Sequence, residues 1–215
     1  MNRVLVTGFG AYAEEVDNPS GEIARRLDGA QIDGHTVVGR VLPVDTVAVR
    51  EIIAEAIESI QPKVVLVTGV APGRPAPALE RVALNVRDFP VPDVAGRVPI
   101  DDAVAADGPA AYLTTLPVKA VVEAWRTAGI PGYVSNTAGT YLCNQTFYLA
   151  RHLSKDSVRV GMIHVPALPA PAVEIGDPPP PSMSIDVLEE AVRLAVSTSL
   201  HHVGPDLRVG GGAIS

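Results

Sequence analysis

The stretch RVLVTGF, residues 3–9, decides the fold class, because it is a continuous apolar run rich in β-branched residues that closes on a glycine. Such a run is typical of a strand that is buried on both faces of a sheet. The same pattern, with the same Thr-Gly ending, returns as KVVLVTGV at residues 63–70. Between the two runs, NPSGEIARRL (18–27) and DTVAVREIIAEAIESIQP (45–62) have helical patterns, and HTVVGRVLPV (35–44) is a strand candidate. The order β-α-β-α-β predicts an α/β protein with a mainly parallel twisted sheet and helices on both faces.

The segment 71–116 breaks this alternation, since it is rich in proline, glycine and aspartate. Its middle, RVALNVRDF (81–89), alternates like a strand or the arm of a hairpin. A connection of this length inside a compact domain is often a lid or a binding loop. Regular patterns then resume and predict helices at 117–129, 143–153 and 184–202, strands at 132–136 and 158–166, a proline-rich link at 167–183 and a mobile tail at 210–215.

Length and composition predict one domain over residues 1–215, with the excursion at 71–116 inside it. The chain has 47% apolar and 19% charged residues and a formal net charge of −7, which argues against nucleic acid or anionic membranes as partners. No apolar run approaches the roughly 18 residues of a membrane span, and no signal peptide pattern is present. One cysteine and no leader predict a reducing, cytoplasmic location.

The segment GFGAYA (8–13) matches the dinucleotide fingerprint G-x-G-x-x-G/A after a strand. The fingerprint needs a helix that begins inside it, whereas Asn18 and Pro19 place the helix start too late. A glycine turn is the better interpretation, and a nucleotide-binding protein stays as an alternative. Phe9 and Tyr12 are then expected on a loop at the C-terminal edge of the sheet, where open α/β folds bind ligands.

The sequence contains no motif of a serine hydrolase or of a metal site. No G-x-S-x-G elbow of a serine hydrolase occurs. The histidines show no H-E-x-x-H or comparable metal spacing; they are His35, His152, His164, His201 and His202. We therefore predict no metal and no cofactor.

Cys143 is the only cysteine, and the pattern places it at the start of a helix just after a Gly-Thr turn. Unpaired amides and the positive end of the helix dipole there favour the thiolate, which is the reactive species. His164 is a polar residue near the C-terminal end of the otherwise apolar strand GMIHVP. A lone cysteine is more often a core residue, and a lone strand histidine is more often structural. The pair on adjacent β-α units favours Cys–His catalysis, which needs a third group that the pattern does not select among 24 acidic residues.

At this point the chain resembles the pyroglutamyl peptidase type I family, also called pyrrolidone-carboxylate peptidases, nearly from end to end. The most specific blocks are ERVALN (80–85) and SNTAGTYLCN (135–144). They are accompanied by VLVTGFGAY and NPS (4–20), GRPAPAL (73–79), DGPAAYLTTLPVKAVVEA (107–124), IHVPALP (163–169) and PSMS (181–184).

The resemblance implies an α/β/α sandwich that often assembles as a homotetramer and removes N-terminal pyroglutamyl residues from peptides. It implies a Glu–Cys–His triad of Glu80, Cys143 and His164, an acyl-enzyme intermediate, and an excursion at 71–116 that brings the carboxylate to the site. It also implies a set of residues that bind the substrate: Phe9, Tyr12, Asn18, Val70, Tyr141 and Leu142.

The chain departs from the usual family pattern at a few positions. Pro72 stands where many members have a glycine, Val94 stands where they have asparagine, and Tyr12 replaces the more usual phenylalanine. These changes concern loop geometry and affinity for the lactam. They leave open a second alternative, a relative that binds pyroglutamyl peptides without cleaving them.

Overall fold

The computed structural model describes residues 2–12 and 18–211. The strands are β1 (Arg3–Phe9), β2 (Gln31–Ile32), β3 (His35–Leu42), β4 (Val64–Val70), β5 (Ala78–Glu80), β6 (Val82–Leu84), β7 (Ala111–Leu113), β8 (Tyr133–Ser135) and β9 (Arg159–Val165). The helices are α1 (Pro19–Leu27), α2 (Thr46–Ile60), α3 (Val118–Thr127), α4 (Leu142–Leu153), α5 (Pro169–Ile175) and α6 (Ile185–His201).

One sheet organises these elements, with the strand order β2-β3-β1-β4-β9-β5-β8. The central strands β3, β1, β4 and β9 are mutually parallel, as their apolar runs predict. The short strand β2 pairs antiparallel with β3, and β5 pairs antiparallel with β9 but parallel with β8. The prediction of a mainly parallel sheet is therefore confirmed.

Two hydrophobic cores lie on the two faces of this sheet. Alternate strand residues such as Val4 and Leu66 face α1, α3 and α6, while Leu5 and Val65 face α2 and α4. This arrangement is the three-layer α/β/α sandwich, which confirms the fold class. Trp125 of α3 is fully buried, and its indole Nε1 donates to the carbonyl of Ala191 in α6 over 2.8 Å.

Helix α1 lies directly on β1 because Gly8 has no side chain. A Cβ built on Gly8 would lie 1.8 Å from the carbonyl oxygen of Ser20. Asn18 caps the helix as predicted, since its Oδ1 accepts from the backbone amide of Ser20 over 3.0 Å. The start of α1 and the end of β1 are thereby held together beside the site.

The excursion at 71–116 contains three of the strands. β6 and β7 form an antiparallel pair of their own, as the alternation in RVALNVRDF predicts, and β5 enters the main sheet between β9 and β8. Phe9 is the last residue of β1 rather than a loop residue, and α4 begins at Leu142, one residue before the predicted start.

The expected proline-rich link at 167–183 was wrong in one part, because Pro169–Ile175 form α5. Prolines are tolerated in the first turn of a helix, whose amides have no intrahelical acceptor, so the proline pattern did not exclude a helix there. The last residue of GFGAYA, Ala13, and the end of the predicted mobile tail, 212–215, lie outside the described residues. Over 2–12 and 18–211, no helix is long and apolar enough to cross a membrane.

Candidate active site

Glu80, Cys143 and His164 come from three different elements: β5, α4 and β9. The antiparallel register pairs Ala78 with His164 and Glu80 with Met162, so Glu80 is the diagonal neighbour of His164 on the sheet. Diagonal cross-strand neighbours lie on the same face and within reach of long side chains. The short strand β5 thus brings the carboxylate to the histidine.

The imidazole of His164 and the carboxylate of Glu80 form a buried hydrogen bond. His164 Nδ1 donates to Glu80 Oε1 over 2.7 Å. The two residues are 4% and 0% exposed. This bond fixes the orientation of the ring and leaves Nε2 as the nitrogen that can exchange a proton with another group.

A third side chain, Arg74, contacts the same carboxylate oxygen. Its Nη2 lies 3.0 Å from Glu80 Oε1, and its Nη1 donates to the phenol oxygen of Tyr133 over 3.4 Å. The other carboxylate oxygen, Oε2, is buried and has no hydrogen-bond partner within the described part of the chain. Glu80 is therefore held through one oxygen by two cationic groups.

Cys143 is the second residue of α4, and the residue before the helix, Tyr141, provides no side-chain cap. The first backbone amides of an α-helix have no acceptor within the helix, so those beside the thiol are available to bind a ligand. A Cβ built on Gly69 of β4 would lie 2.6 Å from Cys143 Sγ and 3.4 Å from His164 Cδ2. The thiol and the imidazole thus share the space that the missing side chain of Gly69 leaves free.

The surroundings of His164 favour its protonated form. Burial lowers the pKa of the imidazole, but the negative charge of Cys143 and the bond to Glu80 outweigh burial and raise the pKa of His164 to about 9. An imidazolium beside a thiolate is the ion pair that activates a nucleophilic cysteine.

Beside Cys143 lies a cavity of about 160 Å³. All six residues that the resemblance assigns to substrate binding line it, together with Cys143 and Val44: Phe9, Tyr12, Asn18, Val70, Tyr141 and Leu142. The walls are mainly apolar and aromatic. A larger cleft of about 480 Å³ lies at the opposite edge of the sheet, between the C-terminal ends of α2 and α4, and contains none of the candidate triad.

Two phenols of the cavity are bound to one carbonyl. Tyr12 and Tyr141 both donate to the carbonyl oxygen of Pro92, the latter over 3.1 Å. The ring of Tyr141 also packs against Phe89, with 4.4 Å between centroids. Burial raises the pKa of Tyr141, and its interaction with Tyr12 adds to the rise, so the phenol remains a neutral donor. The excursion therefore lies behind the two tyrosines that line the cavity and fixes their rings.

Asp93 holds this part of the excursion in place. Its buried carboxylate accepts from the backbone amides of Thr46, Ala95 and Arg97 over 3.0, 2.9 and 2.9 Å. Burial alone would raise the pKa of Asp93, but these amides and the Arg97 guanidinium lower it to about 2. The carboxylate stays ionised and ties the loop around Pro92 to the start of α2.

The amide of Asn18 is largely occupied within the chain. Its Oδ1 accepts from the amide and the hydroxyl of Ser20, and its Nδ2 donates to the carbonyl of Gly10 over 3.2 Å. Asn18 therefore lines the cavity mainly as the residue that joins the end of β1 to α1.

Sequence reasoning did not single out four residues of the site: Val44, Gly69, Arg74 and Asn144. Asn144 is fully buried and joins α4 to β6, because its Oδ1 accepts from Leu84 N over 2.8 Å and its Nδ2 donates to Leu84 O over 2.9 Å. The only signals for these residues were the repeated Thr-Gly ending of the two apolar strands and the GRPAPAL and TYLCN blocks that carry the resemblance. In the described ranges, no three His, Cys, Asp or Glu side chains cluster as metal ligands would.

The family model described as pyroglutamyl peptidase matches residues 2–202. The chain belongs to the pyroglutamyl peptidase family. The pyrrolidone-carboxylate peptidase of Pseudomonas fluorescens is 44% identical over 217 residues that cover both chains fully, and that of Cupriavidus taiwanensis is 43% identical over 219 residues with the same coverage. Like other members of the family, this chain is a peptidase of the cysteine class, which confirms the expected enzyme. Membership and the late start of α1 both count against the nucleotide-binding alternative.

Solved structures of pyroglutamyl peptidases share this fold. The pyrrolidone carboxyl peptidase of Thermococcus litoralis superposes with a TM-score of 0.94 at 36% identity and covers 98% of this chain and 100% of its own. A mutant pyrrolidone carboxyl peptidase of Pyrococcus furiosus gives 0.90 at 38% identity and covers 94% of this chain and 99% of its own. The similarity thus includes the excursion that carries Glu80.

Proposed function

We propose that this peptidase removes N-terminal pyroglutamyl residues from peptides through a Glu80–His164–Cys143 triad and an acyl-enzyme. The observation that carries the proposal is the buried 2.7 Å bond between His164 Nδ1 and Glu80 Oε1, with Cys143 beside the same imidazole and at the wall of a small cavity. The triad requires a nucleophile, a base and a group that orients the base. These three side chains meet that requirement.

The proposed reaction begins with the transfer of the Cys143 thiol proton to His164 Nε2. The thiolate attacks the carbonyl carbon between the pyroglutamyl residue and the next residue, and a C–S bond forms. His164 then protonates the departing amine as the C–N bond breaks, and the peptide leaves with a free N-terminus. Water, deprotonated by His164, attacks the thioester and releases pyroglutamate and the thiol. Glu80 keeps the imidazole in the required tautomer throughout.

The tetrahedral intermediate carries a negative oxygen that needs hydrogen-bond donors. The unpaired amides at the start of α4, that of Cys143 included, are the proposed donors, because they are fixed in the helix before the reaction starts. Loss of one such donor typically costs about 10²–10³-fold in kcat.

The cavity supports a preference for pyroglutamate over an ordinary N-terminal residue. Of the described residues that line it, none is a carboxylate that could neutralise a free α-ammonium group. Pyroglutamate is a compact neutral lactam, which suits a cavity of about 160 Å³ with apolar walls. A charged N-terminus would lose its hydration there without gaining a partner.

The test is hydrolysis of a fluorogenic pyroglutamyl amide by the reduced native enzyme and by Cys143→Ala, with the prolyl amide as the matched substrate control. We expect turnover of the pyroglutamyl amide alone and its complete loss in Cys143→Ala. Turnover that survives in Cys143→Ala would disprove the nucleophile. A folded native protein that binds the amide without cleaving it would support the alternative of a relative that only binds.

Two further expectations stay predictions. The tetrameric assembly follows from the resemblance, and the cytoplasmic location follows from the single cysteine and the composition.

A further inference from the structure

Arg74 contacts the candidate triad without belonging to it. It lies in the segment between β4 and β5, next to the departure at Pro72. Its guanidinium contacts Glu80 Oε1 over 3.0 Å, on the same oxygen that accepts from His164. Among the described residues, Arg74 is the fixed cation that contacts Glu80.

The formal charges of the site explain why a fixed cation is needed. In the reactive state, Cys143 is a thiolate, His164 an imidazolium and Glu80 a carboxylate, so the three carry a net charge of −1. Glu80 is 0% and His164 4% exposed, and a net charge at such a position is costly. The guanidinium of Arg74 brings the sum to zero without entering the thiol–imidazole pair.

Arg74 is held in position from two sides. Its backbone amide donates to the carbonyl of Ala71 over 3.2 Å, and the amide of Ala71 donates to the carbonyl of Val165, the residue after His164, over 2.9 Å. Its Nη1 donates to the phenol of Tyr133 on β8. The segment that carries the cation is thus anchored to the same strand end as the imidazole.

We propose that Arg74 is a positioning residue that acts on Cys143 through Glu80 and His164, because it balances the charge of the buried carboxylate and keeps the carboxylate turned towards the imidazole. The inference rests on the proposed function, since it concerns the same triad. The phenols around the triad are Tyr133, which accepts from Arg74, and Tyr12 and Tyr141, which line the cavity beside Cys143. A phenol carries no positive charge in either protonation state, so none of the three replaces the charge of Arg74.

The direction of the effect follows from the charge. Removal of a positive charge near the triad disfavours the thiolate and favours the imidazolium. The reactive ion pair therefore forms at a higher pH and persists to a higher pH. In a plot of Cys143 reactivity against pH, both the rise on the acid side and the fall on the alkaline side are expected to move up by roughly one pH unit in Arg74→Gln. On the acid side this shift corresponds to about a tenfold loss of reactivity at a given pH.

The experiment measures the rate of alkylation of Cys143 by iodoacetamide as a function of pH, together with the pH profile of kcat/KM for the pyroglutamyl amide. The variants are Arg74→Gln, Arg74→Met, which keeps the volume of the stem, and Arg74→Lys. The matched control is Arg81→Gln. It removes the same charge from the residue that follows Glu80 in the chain, whose guanidinium binds the carbonyl of Gly211. We expect the two neutral variants to shift both limbs, Arg74→Lys to restore most of the native profile, and Arg81→Gln to leave the profile unchanged.

Two results would overturn the inference. Folded Arg74→Gln or Arg74→Met with an unshifted alkylation profile would reduce Arg74 to a structural part of the loop. An equal shift in Arg81→Gln would show a general effect of net charge. The alkylation measurement needs no substrate, so it tests Arg74 separately from the proposed function. If the native protein did not hydrolyse the pyroglutamyl amide but the Arg74 variants showed the expected shift in alkylation, the proposed function would be rejected and the role of Arg74 would stand.

Discussion

Two carboxylates of the excursion, Glu80 and Asp93, are both buried but are satisfied in different ways. Asp93 accepts from three backbone amides and from the Arg97 guanidinium over 3.3 Å, so both of its oxygens have partners. Glu80 accepts only from side chains, His164 and Arg74, and both use Oε1. Its Oε2 has no partner within the described residues.

The difference separates a structural carboxylate from the one proposed to act in the reaction. Backbone amides are fixed donors whose charge does not change, so Asp93 is suited to hold the loop around Pro92. A histidine gains and loses a proton during catalysis, and a carboxylate bonded to it can respond to that change. A buried oxygen without a partner costs stability, and such costs are typical of sites that serve a reaction. The same loss of charge should therefore act mainly on activity at Glu80 and mainly on stability at Asp93.

The largest effect is expected for Glu80→Gln, in activity. Glutamine keeps the size of the side chain but cannot balance an imidazolium, and its amide group can hold the ring in the wrong tautomer. We expect kcat/KM for the pyroglutamyl amide to fall by about 10²–10⁴-fold. The midpoint of thermal unfolding should change much less than the activity, because the glutamine oxygen can still accept from His164 and Arg74. Retention of most of the activity would place the orienting group elsewhere.

The next effect is expected for Asp93→Asn, in stability. The amide cannot accept all four hydrogen bonds, and we expect the free energy of unfolding at neutral pH to fall by about 2 kcal/mol. The folded-state pKa of Asp93, about 2, is below its ordinary value. The stabilisation by the ionised form is thus complete above an ordinary aspartate pKa of about 4 and is lost as the pH falls towards about 2.

Urea unfolding of the native enzyme and Asp93→Asn across this range checks the sign. The stability difference between them should narrow as the pH falls from about 4 to about 2. The matched control is Asp102→Asn on the same excursion, since its side chain is 58% exposed and lies 3.9 Å from Arg87. A loss in Asp102→Asn as large as in Asp93→Asn would contradict the assignment of Asp93 as the structural carboxylate.

The smallest effect is expected for Tyr12→Phe, which restores the more usual residue of the family. The ring remains in the cavity, but its bond to the carbonyl of Pro92 is lost. We expect KM to rise by about 2–10-fold, because that factor corresponds to the net free energy of one hydrogen bond, and we expect little change in kcat. Tyr141→Phe is the matched variant, because its phenol binds the same carbonyl. A fall in kcat with unchanged KM would mean that Tyr12 acts on the reaction rather than on the shape of the cavity.

Local patterns were enough for the strands and helices that carry Cys143 and His164. The helix predicted at 143–153 is α4, and the strand predicted at 158–166 is β9. β1 and β4 were also predicted, because a strand buried on both faces needs a continuous apolar run, and so was α1, because Asn18 and Pro19 mark its start. The pairing of Cys143 with His164 followed from their places on adjacent β-α units.

Non-local contacts explain what local patterns missed. β5 has only three residues, Ala78–Glu80, so no periodicity marked it, and its place between β9 and β8 depends on strands that come later in the chain. Spacing alone therefore left the acidic partner of His164 open, and the resemblance supplied Glu80. Arg74 lies in a loop rich in proline and glycine, where side-chain contacts are set by the fold and have no signature in the sequence.

The insertion of β5 also bears on when the enzyme becomes active during folding. The contact between Glu80 and His164 joins residues 84 positions apart. It forms when β5 takes its place between β9 and β8 in the sheet. Closure of such a long loop is entropically costly, and contacts of high sequence separation form slowly. Glu80 leaves the ribosome before the strands that will flank it, so a growing chain contains the carboxylate before it contains the histidine that the carboxylate binds. In the proposed mechanism, hydrolysis therefore becomes possible only after β8 and β9 have been synthesised and β5 has paired with them.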